Sequence, residues 1–318
     1  MSKLSAWSAA AVAALGLAPS ALGVFVISNG NASMRSALTP FLPDSALSTC
    51  DFFADAVGPD HMFGYNWAYR APGSGNRGFS WLDTPTQTVA GDTLTLVYTN
   101  AGPNPVGFNR FNARLTVRVF DTVIPNTARV ESTLEFQAAP TNLGPTVWEL
   151  FNVNDFDLNG TPANDSYFVP APGVVAGRVT EGASTDVINF IGVNAGRFEV
   201  GGGAAVRTKV VGGGLSNLSN AAGPAAGDGA VGYQWTVTLL PGQIVTLKSA
   251  FGVNMPPLPP PCPADLNNDG VVDTSDLVIL LANFGTVVPP FTLGDINGDG
   301  IVNTADLVLF LPPFGQPC

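Results

Sequence analysis

Histidine is almost absent from this sequence, since His61 is the only one among 318 residues. A zinc centre with several histidine ligands therefore cannot be built. Any catalytic arrangement of the Ser-His-Asp or Cys-His kind would have to use His61. A lone histidine without a placed nucleophile is usually structural, so we expect no catalytic role for it.

Charged residues are also scarce, at 12% of the chain, whereas glycine (36) and proline (27) are abundant. This balance favours many short strands joined by turns. The net charge is -11, and residues 262–318 hold seven aspartates without a single Lys or Arg. Such a chain lacks the basic surface that nucleic acid requires, and its acidic tail suits a divalent cation.

Long apolar runs are missing beyond the N-terminus, so we expect no membrane span in the mature protein. At the N-terminus, Lys3 precedes an apolar run from Ala9 to Leu17, and small residues follow at Ala21 and Gly23. This order is typical of a secretory signal peptide over residues 1–23. We therefore expect a secreted or cell-surface, extracellular protein.

Cysteine occurs three times, and Cys262 and Cys318 bracket the acidic tail. In an exported protein, bracketing cysteines are expected to form a disulfide. Cys50 is then left over, and we expect it to be buried and free, because cysteine is a common buried residue.

Residues 24–255 are rich in period-two alternation of apolar and polar residues, as in TLTLVY from Thr93 and RLTVRVF from Arg114. Such runs, separated by glycine-rich turns, predict a large β-sandwich in a mostly β protein, without a long amphipathic helix. Pro241-Gly242 predicts a hairpin turn between the last two strands. Residues 256–261, PPLPPP, predict an extended, semi-rigid linker.

The segment DLNNDGVVDTSD at 265–276 recurs as DINGDGIVNTAD at 295–306. Calcium takes six to eight oxygen ligands, and a loop of this type supplies them from positions 1, 3, 5, 7, 9 and 12. Glycine stands at position 6 of both loops, where the chain turns sharply. We therefore predict two Ca²⁺ sites, with these ligands: Asp265, Asn267, Asp269, Val271, Asp273 and Asp276; Asp295, Asn297, Asp299, Ile301, Asn303 and Asp306.

Each loop continues into a short apolar stripe of helical spacing. The two stripes are Leu277, Leu280, Leu281 and Phe284, and Leu307, Phe310, Leu311 and Phe314. Proline at 312 and 313 should end the second helix near Leu311. Val272 and Val302, at position 8, are expected to pair the two loops. Residues 262–318 are thus predicted to form a small all-α calcium domain of duplicated loop-helix units.

A loop followed by a helix, with no leading helix, Asp at position 12 and one duplication, resembles a dockerin of the first type. The resemblance covers residues 262–318 and implies docking onto a cohesin-like module of an extracellular scaffold. It also implies partner contacts at loop positions 10 and 11: Thr274, Ser275, Thr304 and Ala305. Such dockerins carry basic residues late in each helix, which this tail lacks, so another partner or a calcium-locked terminal domain stays an alternative. The β domain loosely resembles uncharacterised secreted β-sandwich proteins of planctomycete-type bacteria.

A third stretch, DFDLNG at 155–160, resembles the start of a metal loop. Asp155, Asp157 and Asn159 stand at positions 1, 3 and 5, and Gly160 stands at position 6. The alternative is an Asx-type turn between strands without metal.

Two further groups bear on function. Phe63, Tyr65, Trp67 and Tyr69 alternate along one stretch, and we favour a core row over an exposed platform for sugar rings.

A glycosidase needs two carboxyl groups about 5 to 9.5 Å apart. Glu131 and Glu135 would lie about 13 Å apart on one strand, so Glu149 would have to complete a pair.

From these patterns we expect a non-catalytic recognition or structural module, displayed through a calcium-binding tail in the setting of polysaccharide breakdown. The first alternative is a polysaccharide-degrading glycoside hydrolase that uses Glu131 or Glu149. The second alternative is a structural protein of the cell envelope.

Overall fold

The fold is described from a computed structural model. It describes residues 25–36, 50–79, 85–101, 110–160, 165–168, 176–182, 184–221, 227–256, 262–267, 271–288 and 291–316. The predicted signal peptide, most of the linker, Asp269 and Cys318 lie outside these ranges, so the structure tests neither the cleavage site nor the predicted disulfide. Cys50 is buried and free, as expected.

The chain is mostly β, with 49% strand and 12% helix, and its two main antiparallel sheets are consistent with a sandwich. The eight-stranded sheet has the order β11-β12-β13-β16-β9-β8-β7-β6. Its strands are β6 (Thr86–Ala90), β7 (Thr93–Ala101), β8 (Phe111–Asp121), β9 (Ala128–Ala138), β11 (Asp165–Phe168), β12 (Ala176–Glu181), β13 (Val187–Gly192) and β16 (Ile244–Val253).

The five-stranded sheet has the order β14-β15-β10-β4-β5. Its strands are β4 (Met62–Arg70), β5 (Arg77–Gly78), β10 (Thr146–Phe156), β14 (Arg197–Gly202) and β15 (Gly229–Leu239). A three-stranded sheet of β1 (Val26–Asn29), β2 (Ala32–Ser36) and β3 (Cys50–Phe53) adjoins the two main sheets.

The core lies between the sheets and is filled by the side chains that alternate inward. Tyr65, Trp67 and Tyr69 are buried, which confirms the core interpretation of the aromatic row. Phe63 departs from the row and is 38% exposed. The register between β4 and β10 shifts at this point, since Asp155 pairs with Gly64 and Phe156 with Met62.

The predicted hairpin at Pro241-Gly242 is wrong. Strand β15 pairs with β14 and β10 in one sheet, whereas β16 pairs with β13 and β9 in the other. The turn therefore carries the chain across the sandwich. A Pro-Gly turn can join two paired strands of one sheet or two strands of different sheets. Its sequence is the same in both arrangements, and only the partners of the two strands distinguish them.

Helix α1 (Gly203–Val211) covers the outer face of the five-stranded sheet, and the sequence analysis missed it. Val206, Val210 and Leu218 pack there on Phe151 and Val153 in a second buried cluster. The helix sequence, GAAVRTKVV, has little amphipathic pattern. Its position therefore comes from tertiary packing on the sheet rather than from a local signal.

The tail contains helices α2 (Thr274–Ala282) and α3 (Thr304–Phe310) around a separate apolar cluster. Both helices begin with a capping box, formed by residues 273 and 276 and by residues 303 and 306. Leu280 and Phe310 are fully buried, but Leu281 and Leu311 are 53% and 60% exposed. Only half of each predicted stripe is therefore packed.

The predicted pairing of the two loops through position 8 is also wrong. Val272 exchanges backbone hydrogen bonds with Gly315 and Gln316, and Val302 does so with Gly285 and Thr286. Each loop thus pairs with the segment that follows the other helix.

The tail contacts the sandwich at the turn between β8 and β9. The Val123 amide donates to the Asp299 carbonyl at 3.0 Å. The Phe291 ring lies 5.2 Å from the Arg129 guanidinium, which also stacks on Phe120 at 4.4 Å. The second calcium-type loop therefore lies against the sandwich.

In the part of the chain that the structure describes, no helix is both long enough and apolar enough to cross a membrane.

Candidate functional site

The glutamates proposed as a glycosidase pair lie on opposite sides of the sandwich. On β9, Val130 and Ser132 are buried in the core, so Glu131 points to the outer face of the eight-stranded sheet. On β10, Trp148 and Leu150 are buried in the core, so Glu149 points to the outer face of the five-stranded sheet. A pairing of Glu131 with Glu149 is therefore wrong, because the whole core separates them.

Glu131 and Glu135 share one face of β9, as the sequence predicted, and each has an arginine partner. Glu131 pairs with Arg129 at 2.9 Å, and Glu135 pairs with Arg114 at 3.2 Å. The Glu135–Arg114 pair joins neighbouring strands β9 and β8, whereas Glu131 and Arg129 lie two residues apart on β9. Both carboxylates are therefore held in ion pairs on the outer face.

Glu149 has a different environment, on the part of the five-stranded sheet that α1 leaves uncovered. Its Oε2 accepts hydrogen bonds from Gln234 Nε2 and Thr236 Oγ1, both at 2.7 Å. Its Oε1 lies 3.7 Å from the Arg70 guanidinium. The Glu149 side chain is 15% exposed, so solvent reaches a carboxylate that its neighbours hold in place.

The segment after α1 completes this polar group. Asn217 accepts a hydrogen bond from Gln234 at 3.0 Å and contacts Arg70. The Arg70 side chain also donates to the Ser216 carbonyl and to Asn76 Oδ1, both at 3.1 Å. Strands β4, β10 and β15 bring these groups together from distant parts of the sequence, so sequence reasoning identified Glu149 alone.

A second group of carboxylates lies at the other end of the same sheet, where the pairing of β10 with β15 ends. Asp155 is buried, Asp157 is half-buried and Asp228 is exposed, and one oxygen from each lies within 4.8 Å of the others. The pairing of Phe156 with Gly229 brings Asp157 and Asp228 together. We call Asp155, Asp157 and Asp228 the aspartate cluster.

The predicted ligand set at 155–159 is therefore changed by the fold. Asp155 and Asp157 do come together, but the Asn159 side chain donates to Glu181 at 2.8 Å and to Ser184 at 2.9 Å. Asp228 stands in the place predicted for Asn159. It belongs to a strand end 69 positions later in the chain, and no local spacing could have found it.

Burial raises the pKa of carboxyl groups in and around the cluster. Desolvation raises the pKa of Asp157 to about 6, and the negative charges of Asp228 and Asp60 add to the shift. Desolvation raises the pKa of the neighbouring Asp165 to about 7, and the charges of Glu181, Asp157 and Asp228 add to the shift. These shifts report negative charge gathered in a poorly solvated place.

His61 lies in the interior of the fold. It is fully buried, its Nε2 lies 3.0 Å from Asn126 Oδ1, and its Nδ1 accepts from the Asn159 amide. Desolvation lowers the pKa of the imidazole, which favours the neutral form.

The two tail loops have matching geometry at position 12. Asp276 Oδ1 accepts from the amides of Leu266 and Asn267 at 2.7 and 3.0 Å. Asp306 Oδ1 accepts from the amides of Ile296 and Asn297 at 2.8 and 3.1 Å. Both carboxylates are fully buried, so each one ties the end of its loop to the beginning.

In the second loop, Asp295 adds a further set of contacts. It accepts from the amides of Gly298, Asp299 and Gly300 at 2.9 to 3.1 Å. Desolvation raises its pKa to about 6. The residues expected to contact a partner, Thr274, Ser275, Thr304 and Ala305, are exposed in the first turns of α2 and α3.

Comparison with known proteins yields solved structures only, since no family model and no curated protein matches the chain. A putative aldose 1-epimerase from Escherichia coli K12 matches with a TM-score of 0.43 and 10% identity, over 73% of this chain and 98% of that one. A galactose mutarotase-like protein from Lactobacillus casei matches with a TM-score of 0.43 and 8% sequence identity, over 73% of this chain and 100% of that one. A polysaccharide lyase matches with a TM-score of 0.38 and 10% sequence identity, over 72% of this chain and 33% of that one.

These names correct the expectation that the β domain is a non-catalytic recognition or structural module. The structures that resemble the sandwich are named as aldose 1-epimerase and galactose mutarotase-like proteins, which are carbohydrate-related. At 8–10% identity and TM-scores of 0.43 or less, the likeness transfers no residue role to this chain. Its chemistry has to be argued from its own side chains.

Proposed function

We propose that the sandwich is a carbohydrate-active, polysaccharide-degrading enzyme in which Glu149 is the general base. The arrangement around Glu149 is the observation that carries this proposal. Gln234 and Thr236 donate to Oε2 and hold the carboxylate, while Oε1 stays directed toward Arg70 at 3.7 Å. A fixed carboxylate that solvent can reach is suited to take a proton from a bound hydroxyl or water.

The neighbours of Glu149 suit a carbohydrate. Asn217 and Thr236 are exposed, and together with Arg70 they offer donors and acceptors around one carboxylate. A few placed polar groups of this kind fix the orientation of a ligand rich in hydroxyls. In the proposed degradation of a polysaccharide, Glu149 removes a proton from the bound substrate or from water. Arg70 stabilises the negative charge that develops on a nearby oxygen.

The reaction type follows from the partner of Glu149. Among the contacts described for Glu149, the charged partner is Arg70 and no second carboxylate takes part. Hydrolysis by two carboxylates would need a further acid from outside this group.

In base-driven elimination, Glu149 would take a proton from a sugar carbon, a C=C bond would form as the glycosidic C–O bond breaks, and the leaving oxygen would take a proton from solvent. In hydrolysis, Glu149 would take a proton from water, whose oxygen would bond to the sugar carbon as the glycosidic C–O bond breaks, and solvent would again protonate the leaving oxygen. In both, Arg70 would stabilise the developing negative charge.

The test is turnover on a panel of insoluble polysaccharides by the full chain in calcium. Reducing ends in the supernatant report cleavage, and ultraviolet absorbance of unsaturated ends identifies elimination. Glu149→Gln is expected to lower the rate by about 10² to 10⁴-fold, because it removes the base. Retention of the polysaccharide by the variant should persist, since the amide keeps the shape of the site.

Glu135→Gln is the matched control, because Glu135 is a half-exposed glutamate paired with arginine on the opposite outer face. It should leave the rate unchanged. If the Glu149→Gln variant keeps the wild-type rate, Glu149 is not the general base and the active site lies elsewhere in the protein. If the wild-type protein releases no product from any polysaccharide of the panel, the proposal that the sandwich is an enzyme is wrong.

We also propose that the dockerin-like tail binds two calcium ions. The matching contacts of Asp276 and Asp306 and the two capping boxes support this, because both loops are already closed around inward carboxylates. Asp269 lies outside the described residues, and the other predicted ligand positions lie within them. A cohesin-like partner has no support from the comparisons.

Equilibrium dialysis of the full chain against calcium tests the tail. Asp276→Asn and Asp306→Asn should each remove about one bound ion, because the twelfth residue is an essential ligand of such loops. Asp186→Asn, a sandwich aspartate outside any predicted loop, is the control. Calcium binding that neither tail variant reduces would contradict the proposal.

A further inference from the structure

The aspartate cluster has the geometry of a cation site. Its three ligand oxygens lie within 4.8 Å of one another. Oxygens that share one calcium ion at 2.3 to 2.6 Å can be separated by at most about 5 Å, whereas the shorter bonds of magnesium allow only about 4 Å. The three oxygens are therefore near enough to one another to share one calcium ion.

The buried member of the cluster, Asp155, has one oxygen without a partner, because Oδ2 forms an ion pair with Arg207 and Oδ1 forms none in the part of the chain that the structure describes. Asp155 is 1% exposed, and neither of its oxygens has a hydrogen-bond partner among the described residues. It touches Arg207 of helix α1, whose Nε and Nη1 likewise have no hydrogen bond there. A buried carboxylate without hydrogen bonds is costly, and bound metal is one of the few ways to offset that cost.

The charge balance favours a divalent ion. The three aspartates of the cluster carry three negative charges when ionised, and Arg207 supplies one positive charge beside Asp155. A divalent cation would bring the group to neutrality. Asp165, buried nearby with one oxygen unpartnered, adds further negative charge to this end of the sandwich.

The backbone at the start of α1 lies close against these oxygens. A Cβ atom on Gly203, the first residue of α1, would lie 2.6 Å from Asp228 Oδ1 and 3.1 Å from Asp155 Oδ1. The Gly203 amide donates to the Asp228 carbonyl at 3.2 Å. The helix thus begins directly against two carboxylates, and any larger residue would displace them.

We propose that Asp155, Asp157 and Asp228 bind one Ca²⁺ ion where β10 and β15 meet the start of α1. The ion fastens the ends of two central strands to the helix that covers them. The site lies six residues along β10 from Glu149, which is about 20 Å. It is therefore separate from the proposed active site, and its ligands are different residues from those predicted for the tail loops.

Terbium luminescence excited through tyrosine and tryptophan tests the site in the full chain. Residues 262–318 contain neither Trp nor Tyr, so the signal favours ions bound to the sandwich. The Tyr167 hydroxyl donates to the carbonyls of Phe156 and Gly229, which are chain neighbours of the cluster. Terbium bound there should give sensitised emission that added calcium displaces.

Asp228→Asn is the decisive variant, because Asp228 is exposed and its loss should not affect folding. It should weaken terbium binding at least about tenfold, since affinity follows the number of charged ligands. Asp157→Asn should have the same effect. Asp186→Asn and the tail double variant Asp276→Asn/Asp306→Asn should keep the emission and its displacement by calcium.

Two results would overturn the proposal. One is the absence of calcium-displaceable emission from the wild-type protein. The other is unchanged terbium affinity in Asp228→Asn and Asp157→Asn proteins whose circular dichroism equals that of the wild type. The cluster would then be a metal-free ion-pair network between Arg207 and the strand ends.

Discussion

At the scale of single residues, Asp60 shows how a buried carboxylate can link folding to pH. Its Oδ1 accepts from the amides of Phe52 and Met62 at 2.9 and 3.1 Å. Desolvation is nevertheless the larger effect, and it raises the pKa of Asp60 to about 6. The folded protein therefore holds this proton more tightly than the unfolded chain does.

The expected consequence is a pH-dependent contribution to stability. Because the folded pKa is raised, the stability from Asp60 is complete below about pH 4 and is lost as the pH rises through about 6. Asp60→Asn keeps an oxygen acceptor but cannot ionise. The free energy of unfolding of the wild type minus that of the variant should fall across this range, measured by urea unfolding at each pH.

Subtracting the variant at each pH cancels the contributions of other groups, including the buried His61. A difference that stays flat or rises between about pH 4 and 6 would contradict the pKa shift and its sign.

At the scale of secondary-structure elements, the turn between β15 and β16 carries the chain from one sheet to the other. Gly242 has a φ of +81°, and its amide donates to the Ala138 carbonyl at 2.8 Å. A Cβ atom there would meet nothing closer than Pro140 at 3.9 Å. The turn therefore needs glycine for its backbone conformation and not for space.

Gly242→Ala should lower the free energy of unfolding by about 1 kcal/mol, because an L-residue is strained at positive φ. Gly144→Ala is the matched control, since Gly144 has open space around it and no positive φ. It should change stability by less than about 0.5 kcal/mol. Equal effects of the two changes in urea unfolding would mean that the turn tolerates a side chain.

At the scale of the whole molecule, the contact between tail and sandwich decides how independent the two parts are. Among the described residues, the contact includes the Val123-Asp299 hydrogen bond, the stack of Phe291 on Arg129, and the side chains of Val123 and Ile124 beside Gly300. A cation–π contact of this kind contributes roughly 0.5 to 2 kcal/mol. The second loop is therefore held by a small number of interactions that one substitution can weaken.

Phe291→Ala should expose the Val123 amide and speed its hydrogen exchange at least about fivefold, as expected from losing roughly 1 kcal/mol of docking energy. Phe314→Ala is the control, because Phe314 is 39% exposed and packs on Phe310 within the tail. It should leave the Val123 amide protected. Equal protection in both variants would show that Phe291 does not hold the tail in place.

Much of the architecture could be predicted from local sequence patterns. Alternating residues predicted the β-rich domain and the burial of Tyr65, Trp67 and Tyr69, because a strand exposes its two faces with a period of two. The duplicated loops and their helices were also predicted, and α2 and α3 begin at Thr274 and Thr304 directly after the capping residues. These features depend on residues close together in the chain.

The remaining features depended on contacts between distant residues. Only the assignment of β9 and β10 to different sheets placed Glu131 and Glu149 on opposite faces. Only the pairing of β10 with β15 brought Asp228 to Asp157 and Gln234 to Glu149. Strand partners are selected by the packing of the whole core. Local sequence therefore determined the strands and the two tail helices, and the tertiary structure placed α1 and decided which side chains meet.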